Sequence, residues 1–529
     1  MPIIPNLELG RAARFHWFDP FHPSTEVAMR LEAKRLVAPY RASPLRIGYF
    51  SDNEVGWWNG PLFSHYMERP PTNHTKHKLL ELLREHYQES WERFLQDFVA
   101  PEEIHSFDDL LLISGTFPLL RPGGQGIQVV RKWTGIMAER YYQLVRQALR
   151  EADPEAVILG DRLPIYYDPV AVRAMVPHVD VISTNYNVNS PDGWIARYYF
   201  EGLRLLTGEK PVLISEWFFA AHENRTGNRN VGHLMTVQSQ AERARGAAAA
   251  AERFARIPGV VGIHWFQHYD HPKGGRMDGE DYNFGLVDLE NRPYEELVAA
   301  LSRMNARLPE IHRASATPRV APASGEVTAP HASIDPRDRS LADWPKEEAL
   351  VPPLVAPEPE VPFGEMYLAW DDRGLHLALI AMDYSFPHLL AYEGEFPLEE
   401  AFRVDWGVAA GNGQARFALY VIPPPKAEFS MKDAYRMHVR LCQGDRAGCE
   451  PVPGAVATYF GSDQPRITVE LHLPWEAVGL SGPPSDHLLR MELAATAYHR
   501  SRWMSWSGIR PQEAMTDTAR WRTVRLGRD

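Results

Sequence analysis

The sequence predicts an α/β fold for roughly its first 312 residues, a (β/α)8 barrel apparently lacking its first two βα units, followed by an all-β sandwich. Three observations predict it. From about residue 24 to 300, short apolar strands alternate with amphipathic helices, the order that builds a parallel sheet. The C-terminal ends of those strands carry polar and aromatic residues, where a barrel assembles its active site. After about residue 340 the apolar segments shorten and turn signals separate them, as in an antiparallel sandwich. A doubly wound sheet would show a glycine-rich phosphate turn after its first strand. The glycines of GPLF and of RPGGQG at 121–126 lack that spacing.

The elements follow in order. Helices are expected over 24–37, 76–99, 129–152, 169–175, 193–207, 237–256 and 293–305. The stretch KHKLLELLREHYQESWERFLQDFV reads as one amphipathic helix capped near Thr75. Asp153-Pro154 stops the helix before it. Strands are expected over 45–50, 156–160, 179–183, 212–215 and 260–263, and Pro2–Leu9 can supply a sixth. A closed barrel needs eight. The sandwich strands are expected at 366–370, 375–382, 402–408, 416–422, 466–473 and 489–498. The Pro-, Ala-, Ser- and Thr-rich run between the two parts reads as a linker, so residues 1–312, 313–338 and 339–529 divide the chain.

At 529 residues the chain exceeds one ordinary core, and 44% hydrophobic residues make it globular. A formal charge of −12 argues against nucleic acid or an anionic membrane as partner. No apolar run approaches the roughly 20 residues of a membrane span. The first residues, MPIIPNLELGRAARF, do not have the order of a signal peptide, and the compartment stays open. Cys442 and Cys449 exclude a disulfide framework; they are free or form one local bridge, the free state slightly favoured.

The chemistry gathers at the strand ends. RIGYFSDNEVGWW delivers Asn53 and Glu54 to the end of one strand, beside Trp57 and Trp58. KPVLISEWFF delivers Glu216 to the end of another. Two carboxyls at one barrel mouth can divide glycosidic bond cleavage between a proton donor and a nucleophile or base. A gap of about 5–5.5 Å implies retention and about 6.5–9.5 Å inversion. Asn53 is placed to bond a sugar 2-hydroxyl, the Tyr186 hydroxyl to reach Glu216 and keep it ionised, and Trp265 to lie under a ring. Trp58, Asn185 and Gln267, at the same strand ends, complete the substrate-binding candidates. His264, His268 and His271 with Asp270 imitate a metal cluster, but their spacing would converge only on a helix. No metal and no cofactor is expected, and no G-x-S-x-G elbow occurs.

GYFSDNEVGWW, ERYYQLVRQALREADPEAVILGDR, VDVISTNYN, KPVLISEWFF and GIHWFQHYD…DGEDYNFGLVDLENRPYEELV together resemble the clan A glycoside hydrolases. The likeness is to family 50, the β-agarases, with family 42 β-galactosidases more distant, and covers about residues 1–308. It implies Glu54 as acid/base, Glu216 as nucleophile and retention of configuration on a galactose-containing or related β-linked poly- or oligosaccharide. Asn53, Tyr186 and Trp265 fall where the clan keeps its 2-hydroxyl contact, its nucleophile partner and its ring platform. If the strand ending in Glu54 is the fourth, the first two are missing from this sequence. A misplaced start or a piece of a longer protein is favoured over completion by association, and a signal peptide could then precede Met1. ADWP at 342–345, GEMYLAWDDRGLHLALIAMD at 364–383 and ITVELHLPWEAVGL at 467–480 resemble carbohydrate-binding module family 9 over about 335–529. Trp406, Trp503 and Trp506 are its candidate sugar-contacting aromatics. Two other classes compete: a non-catalytic carbohydrate-binding protein with a truncated or decayed barrel, and a metal-dependent barrel lyase or isomerase.

Overall fold

Six segments lie side by side, parallel and in chain order. Ile3 bridges Arg46 and Asn6 bridges Phe50. Gly48–Tyr49 pairs with Val157–Ile158, and Ile158 O accepts the N–H groups of Asp180 and Val181. Ile182–Asn185 then pairs with Val212–Trp217, which pairs with Val260–Trp265. Helices Pro23–Val37, Ile127–Ala152, Pro169–Met175, Arg197–Thr207 and Gln240–Ala255 connect successive strands. The central strands are short and rich in Val and Ile because both faces are covered. The computed structural model describes residues 2–527 except Trp17, Glu209, His233, 316–326, Asn412, 429–436, 445–448 and 461–464.

The sheet has two open sides. Among the described residues, no ladder joins Val260–Trp265 back to Ile3–Asn6. Five of six residues are buried along Val212–Trp217, whereas only Val260 is buried along Val260–Trp265. Val261 is 61% exposed.

Local chemistry moves several expected boundaries. The helix expected over 76–99 is two helices, His74–Tyr87 and Trp91–Asp97, running into a short strand Phe98–Val99. Gln88 and Glu89 turn left-handed, at φ 54 and 59, and the Ser90 side chain caps the second helix by accepting from Arg93 N. A serine in mid-helix competes for backbone donors in this way, which periodicity does not register. The first cap is Asn73, not Thr75; Thr75 instead donates to Asp19. The helix expected from residue 193 begins at Arg197, because Gly193 sits at φ 79 with a neighbouring backbone oxygen 2.5 Å from where a Cβ would stand. The helix expected to end at 305 runs on as Glu295–Ser315.

The later part is antiparallel apart from one parallel pair, Val327–Ala329 beside Arg522–Leu526. Gly364–Asp371, Gly374–Met382, Arg466–Pro474 and Val456–Tyr459 form one sheet in that order. A second sheet contains Arg522–Leu526, Leu488–Thr496, Phe402–Ala410, Gly413–Ile422 and His438–Gln443. The segment expected as linker contributes a strand to it: Val327–Ala329 pairs with Arg522–Leu526, while 316–326 fall outside the described residues. Cys442 and Cys449, slightly favoured as free, are bridged across this sheet's edge with Cα atoms 4.7 Å apart. Strand pairing, which brings Cys442 opposite Pro451, sets that proximity.

One apolar core runs through both parts. Across the seam, Arg131 binds Asp168 at 3.0 and 2.9 Å and Glu360 at 2.9 and 3.2 Å, all through paired nitrogens. Trp194 Nε1 donates to the Tyr367 hydroxyl at 2.7 Å. Glu365 Oε2 accepts from Arg197 N and Tyr198 N, capping a helix whose own Ala196 offers no side-chain cap. Among the described residues no helix is long and apolar enough to cross a membrane.

Candidate active site

After Phe50 the chain leaves the sheet tethered to its neighbour. Ser51 N donates to Gly160 O and Glu54 N to Asp161 O, at 2.7 and 2.9 Å. Glu54 then takes a left-handed φ of 49, which costs a non-glycine residue about 1 kcal/mol and needs support from its surroundings. The support is a buried polar layer. Adjacent residues of helix Ile127–Ala152 donate to the two flanking carboxyls: Tyr141 to Asp52 at 2.5 Å and Tyr142 to Asp161 at 2.7 Å. Trp57 Nε1 donates to the Tyr142 hydroxyl, and Gly10 N to Asp52. Burial pushes Asp52 and Asp161 each up to about 6.

Glu216 stands opposite Asn185 in the register of the neighbouring strand. The Asn185 amide nitrogen lies 2.9 Å from Glu54 Oε1, 3.4 Å from Glu216 Oε2 and 3.4 Å from Asn53 Oδ1. Its own oxygen accepts from Ser215, which fixes the amide's direction. Because one nitrogen reaches both carboxylates, their facing oxygens are separated by no more than the sum of those two distances.

Arg162 completes the charge balance. Its Nη2 donates to Glu216 Oε2 at 2.8 Å and to Ser215 O at 3.2 Å, while its guanidinium lies 5.5 Å from the Phe50 ring centre. Burial and then the Glu54 charge push Glu216 up to about 7, against the pull of Arg162.

Several expected roles fall differently. The Tyr186 hydroxyl does not bond Glu216: it donates to Asn189 and accepts from Ala196 N, with its ring among Tyr199, Phe200 and Phe254. Only its backbone meets the site residue, Tyr186 N donating to Glu216 O at 2.8 Å. Strand alternation turns Asn185 into the site and its successor out of it. Tyr186→Phe is accordingly expected to leave the pH profile of the site unchanged while lowering stability by about 1 kcal/mol in a urea titration. The partner of Glu216 is Arg162, a residue the sequence reading passed over after closing the strand at Asp161. A basic residue four positions past Ile158, on the strand preceding that of Asn185, was the available signal.

Trp265 is half-buried in register with Trp217, edge-on to it at 4.9 Å, and its Nε1 donates to Phe284 O. Trp58 stacks on Tyr166 at 5.3 Å and leans on Tyr384 at 4.9 Å, so the later part of the chain contributes to this wall. Gln267, half-buried, is held by backbone bonds with Phe284 and Leu286. Asn53 and Glu54 are exposed at the mouth. The histidines do not converge on a metal among the described residues. His271 is buried with Nδ1 accepting from Tyr282 N, and Asp270 accepts from Thr226, Asn283, Gly285 and Tyr294.

The fold and site thus define an α/β protein with two carboxyls paired at the C-terminal edge of a parallel sheet. The chain is similar to β-agarases. It is 26% identical over 309 residues to β-agarase B of Vibrio sp. (strain JT0107), a match covering 54% of this chain and 30% of that one. The chain thus spans under a third of that relative's length. A solved exo-β-agarase matches 56% of this chain and 39% of its own, at 25% identity and a TM-score of 0.49. A family 9 carbohydrate-binding module from Caldicellulosiruptor kristjanssonii, solved with cellotriose, matches 39% of this chain and 95% of its own, at 11% identity and a TM-score of 0.26. No family model matches the chain.

Proposed function

We propose that this chain is a retaining glycoside hydrolase cleaving β-glycosidic bonds in a galactose-containing or related poly- or oligosaccharide. Glu54 acts as acid/base and Glu216 as nucleophile. The observation that carries the reading is the Asn185 amide shared by the two carboxyls, which gathers them at one site as a division between acid/base and nucleophile requires. Arg162 bonds Glu216 and pulls it towards the anion that attack requires, while Glu54 stands at the open mouth. In the first step Glu54 protonates the leaving oxygen while Glu216 attacks the anomeric carbon, forming a glycosyl ester. In the second, Glu54 takes a proton from water as that water breaks the ester. Asn53 meets the 2-hydroxyl; Trp265, Trp58 and Gln267 line the bound sugar. The similarity to β-agarases supports the substrate class.

On this reading the six parallel strands are the last six of a (β/α)8 barrel, whose closure requires two further βα units. Residues 1–312 belong to that barrel and 339–529 to a sandwich module braced on it. The test follows product anomers by NMR with agarose oligosaccharides and an aryl β-galactoside. The β-anomer is expected first. An α-anomer first overturns the retaining assignment, and calorimetric binding without turnover replaces the enzyme with a carbohydrate-binding protein.

Glu216 is held up to about 7 and must be ionised to attack, so kcat/KM is expected to rise as pH passes through that value. Arg162 lowers the affinity of Glu216 for protons. Its replacement by alanine is therefore expected to move this limb up by about 1 to 3 in pH and to reduce kcat. An unmoved limb in the Arg162→Ala profile removes Arg162 from the role.

A further inference from the structure

Trp58, four residues past Glu54, carries an aromatic brace that crosses the seam. Its indole stacks on Tyr166 at 5.3 Å and 20° and meets Tyr384 at 4.9 Å and 35°. Tyr166 stands four residues past Arg162, which bonds Glu216, and Tyr384 follows strand Gly374–Met382 of the later part. Rings that covered opposite faces of the indole would be separated by about the sum of those two distances. The tyrosine centres lie only 6.4 Å apart, so both sit to one side and neither covers the face opposite Tyr166. Both tyrosines are buried, whereas Trp58 is half-buried. Trp57 Nε1 is engaged by the Tyr142 hydroxyl; among the described residues no acceptor meets that of Trp58.

Tyr384 is itself firmly held. Asp383 N donates to Pro465 O at 2.7 Å, and the buried Asp383 carboxylate accepts from Tyr498 N at 2.5 Å and Arg502 Nη2 at 3.4 Å. Phe386 packs so closely on Gly60, in helix Asn59–Met67, that a Cβ there would stand 2.7 Å from Phe386 Cβ. Arg466, opposite Met382 in the sheet register, reaches the other side of the site. Its guanidinium lies 5.5 Å from the Tyr186 ring centre and donates to Asn187 O, two residues past Asn185. One end of this sheet thus grips the chain behind Trp58 and behind Asn185.

We propose that Trp58 is a sugar-stacking platform whose position is set by Tyr384, so that the later part of the chain is a working wall of the glycan cleft. The substrate class rests on the hydrolase reading. The apolar C–H face of a pyranose packs on an uncovered indole face, while the indole N–H donates to a hydroxyl at the rim. A half-buried side chain ordinarily gives up rotamer freedom on binding, and two buried rings behind it remove that freedom beforehand. Tyr384 is a positioning residue: it acts on the sugar through Trp58.

The test reads affinities for agarose oligosaccharides by calorimetry in the full chain carrying Glu216→Ala, which keeps turnover out of the measurement. Trp58→Ala is expected to weaken binding by about tenfold and Tyr384→Ala by about fivefold, while Tyr384→Phe, which keeps the ring, binds as the parent does. In the Trp58→Ala background, Tyr384→Ala is expected to add no further loss, because its effect passes through the indole. Tyr367→Phe, which removes the seam bond from Trp194, is the comparison, with a lower melting temperature at unchanged affinity. Parental affinity in Trp58→Ala or Tyr384→Ala, additive losses in the double variant, or a loss in Tyr367→Phe as large as that in Tyr384→Ala overturns the proposal. The expected pattern of affinities in a chain that turns over nothing with Glu216 restored removes the hydrolase reading and upholds the platform.

Discussion

Glu216→Ala is expected to lose turnover by about 10⁴-fold or more, and added azide to restore it with a product of inverted configuration. The alanine leaves a gap beside the anomeric carbon, on the side that Glu216 would attack. Azide fits there as a small anion, next to the Arg162 guanidinium that in the parent bonds Glu216 Oε2 at 2.8 Å. One displacement then replaces two, so the configuration inverts. Glu54→Gln is expected to differ in kind: an aryl glycoside, whose leaving group needs little protonation, retains far more of its rate than an oligosaccharide does. The measurements are steady-state rates on both substrates and NMR of the azide product. Parental turnover in Glu216→Ala, or azide rescue in Glu54→Gln alone, reverses or removes the two assignments.

Arg131→Met is expected to destabilise the chain by about 3–5 kcal/mol, a large part of an ordinary protein's stability. Arg131 is fully engaged at the seam, between Asp168 of the α/β part and Glu360 of the later part. Its guanidinium holds Asp168 below the usual carboxylate range despite burial. Methionine conserves the packing of the stem and removes the charge, leaving Asp168 buried at 1% side-chain exposure without its partner. Asp168→Asn in the same background is expected to return part of the loss, because the second substitution removes the charge that the first stranded. The sign with pH follows from the lowered carboxyl: the pair's contribution is present above the unfolded carboxylate pKa and fades as pH falls below it. Chemical denaturation of the single and double variants at two pH values reads this directly. Equal stability of Arg131→Met and parent at neutral pH would show that the seam ion network contributes nothing.

The helices Pro23–Val37, Ile127–Ala152 and Pro169–Met175 were legible because each has an apolar face at helical period and a stop signal at its end. The strands were legible as short apolar runs ending in polar residues. Less visible was any feature set by distance in space. The break at Gln88–Ser90 depends on a serine choosing backbone donors over the helix, and the periodicity runs through it without a mark. Strand Val327–Ala329 hides in a Pro- and Ala-rich run, since its pairing partner Arg522–Leu526 lies nearly two hundred residues away. The face presented by Tyr186 was misjudged for a related reason. A strand end gives a residue's position along the chain, and a one-residue difference in register selects the opposite face.

By itself the sequence determined the alternation of strands and helices, the presence of Asn53, Glu54 and Glu216 at strand ends, and the resemblance that suggests their chemistry. Local propensity and motif order contain that much. The tertiary structure alone decided that Asn185 bridges the two carboxyls and that Arg162, not Tyr186, bonds Glu216. Each of these depends on electrostatic and hydrogen-bond contacts between segments far apart in the chain. Such contacts fall off within a few ångströms, so their existence is settled only by strand register and packing.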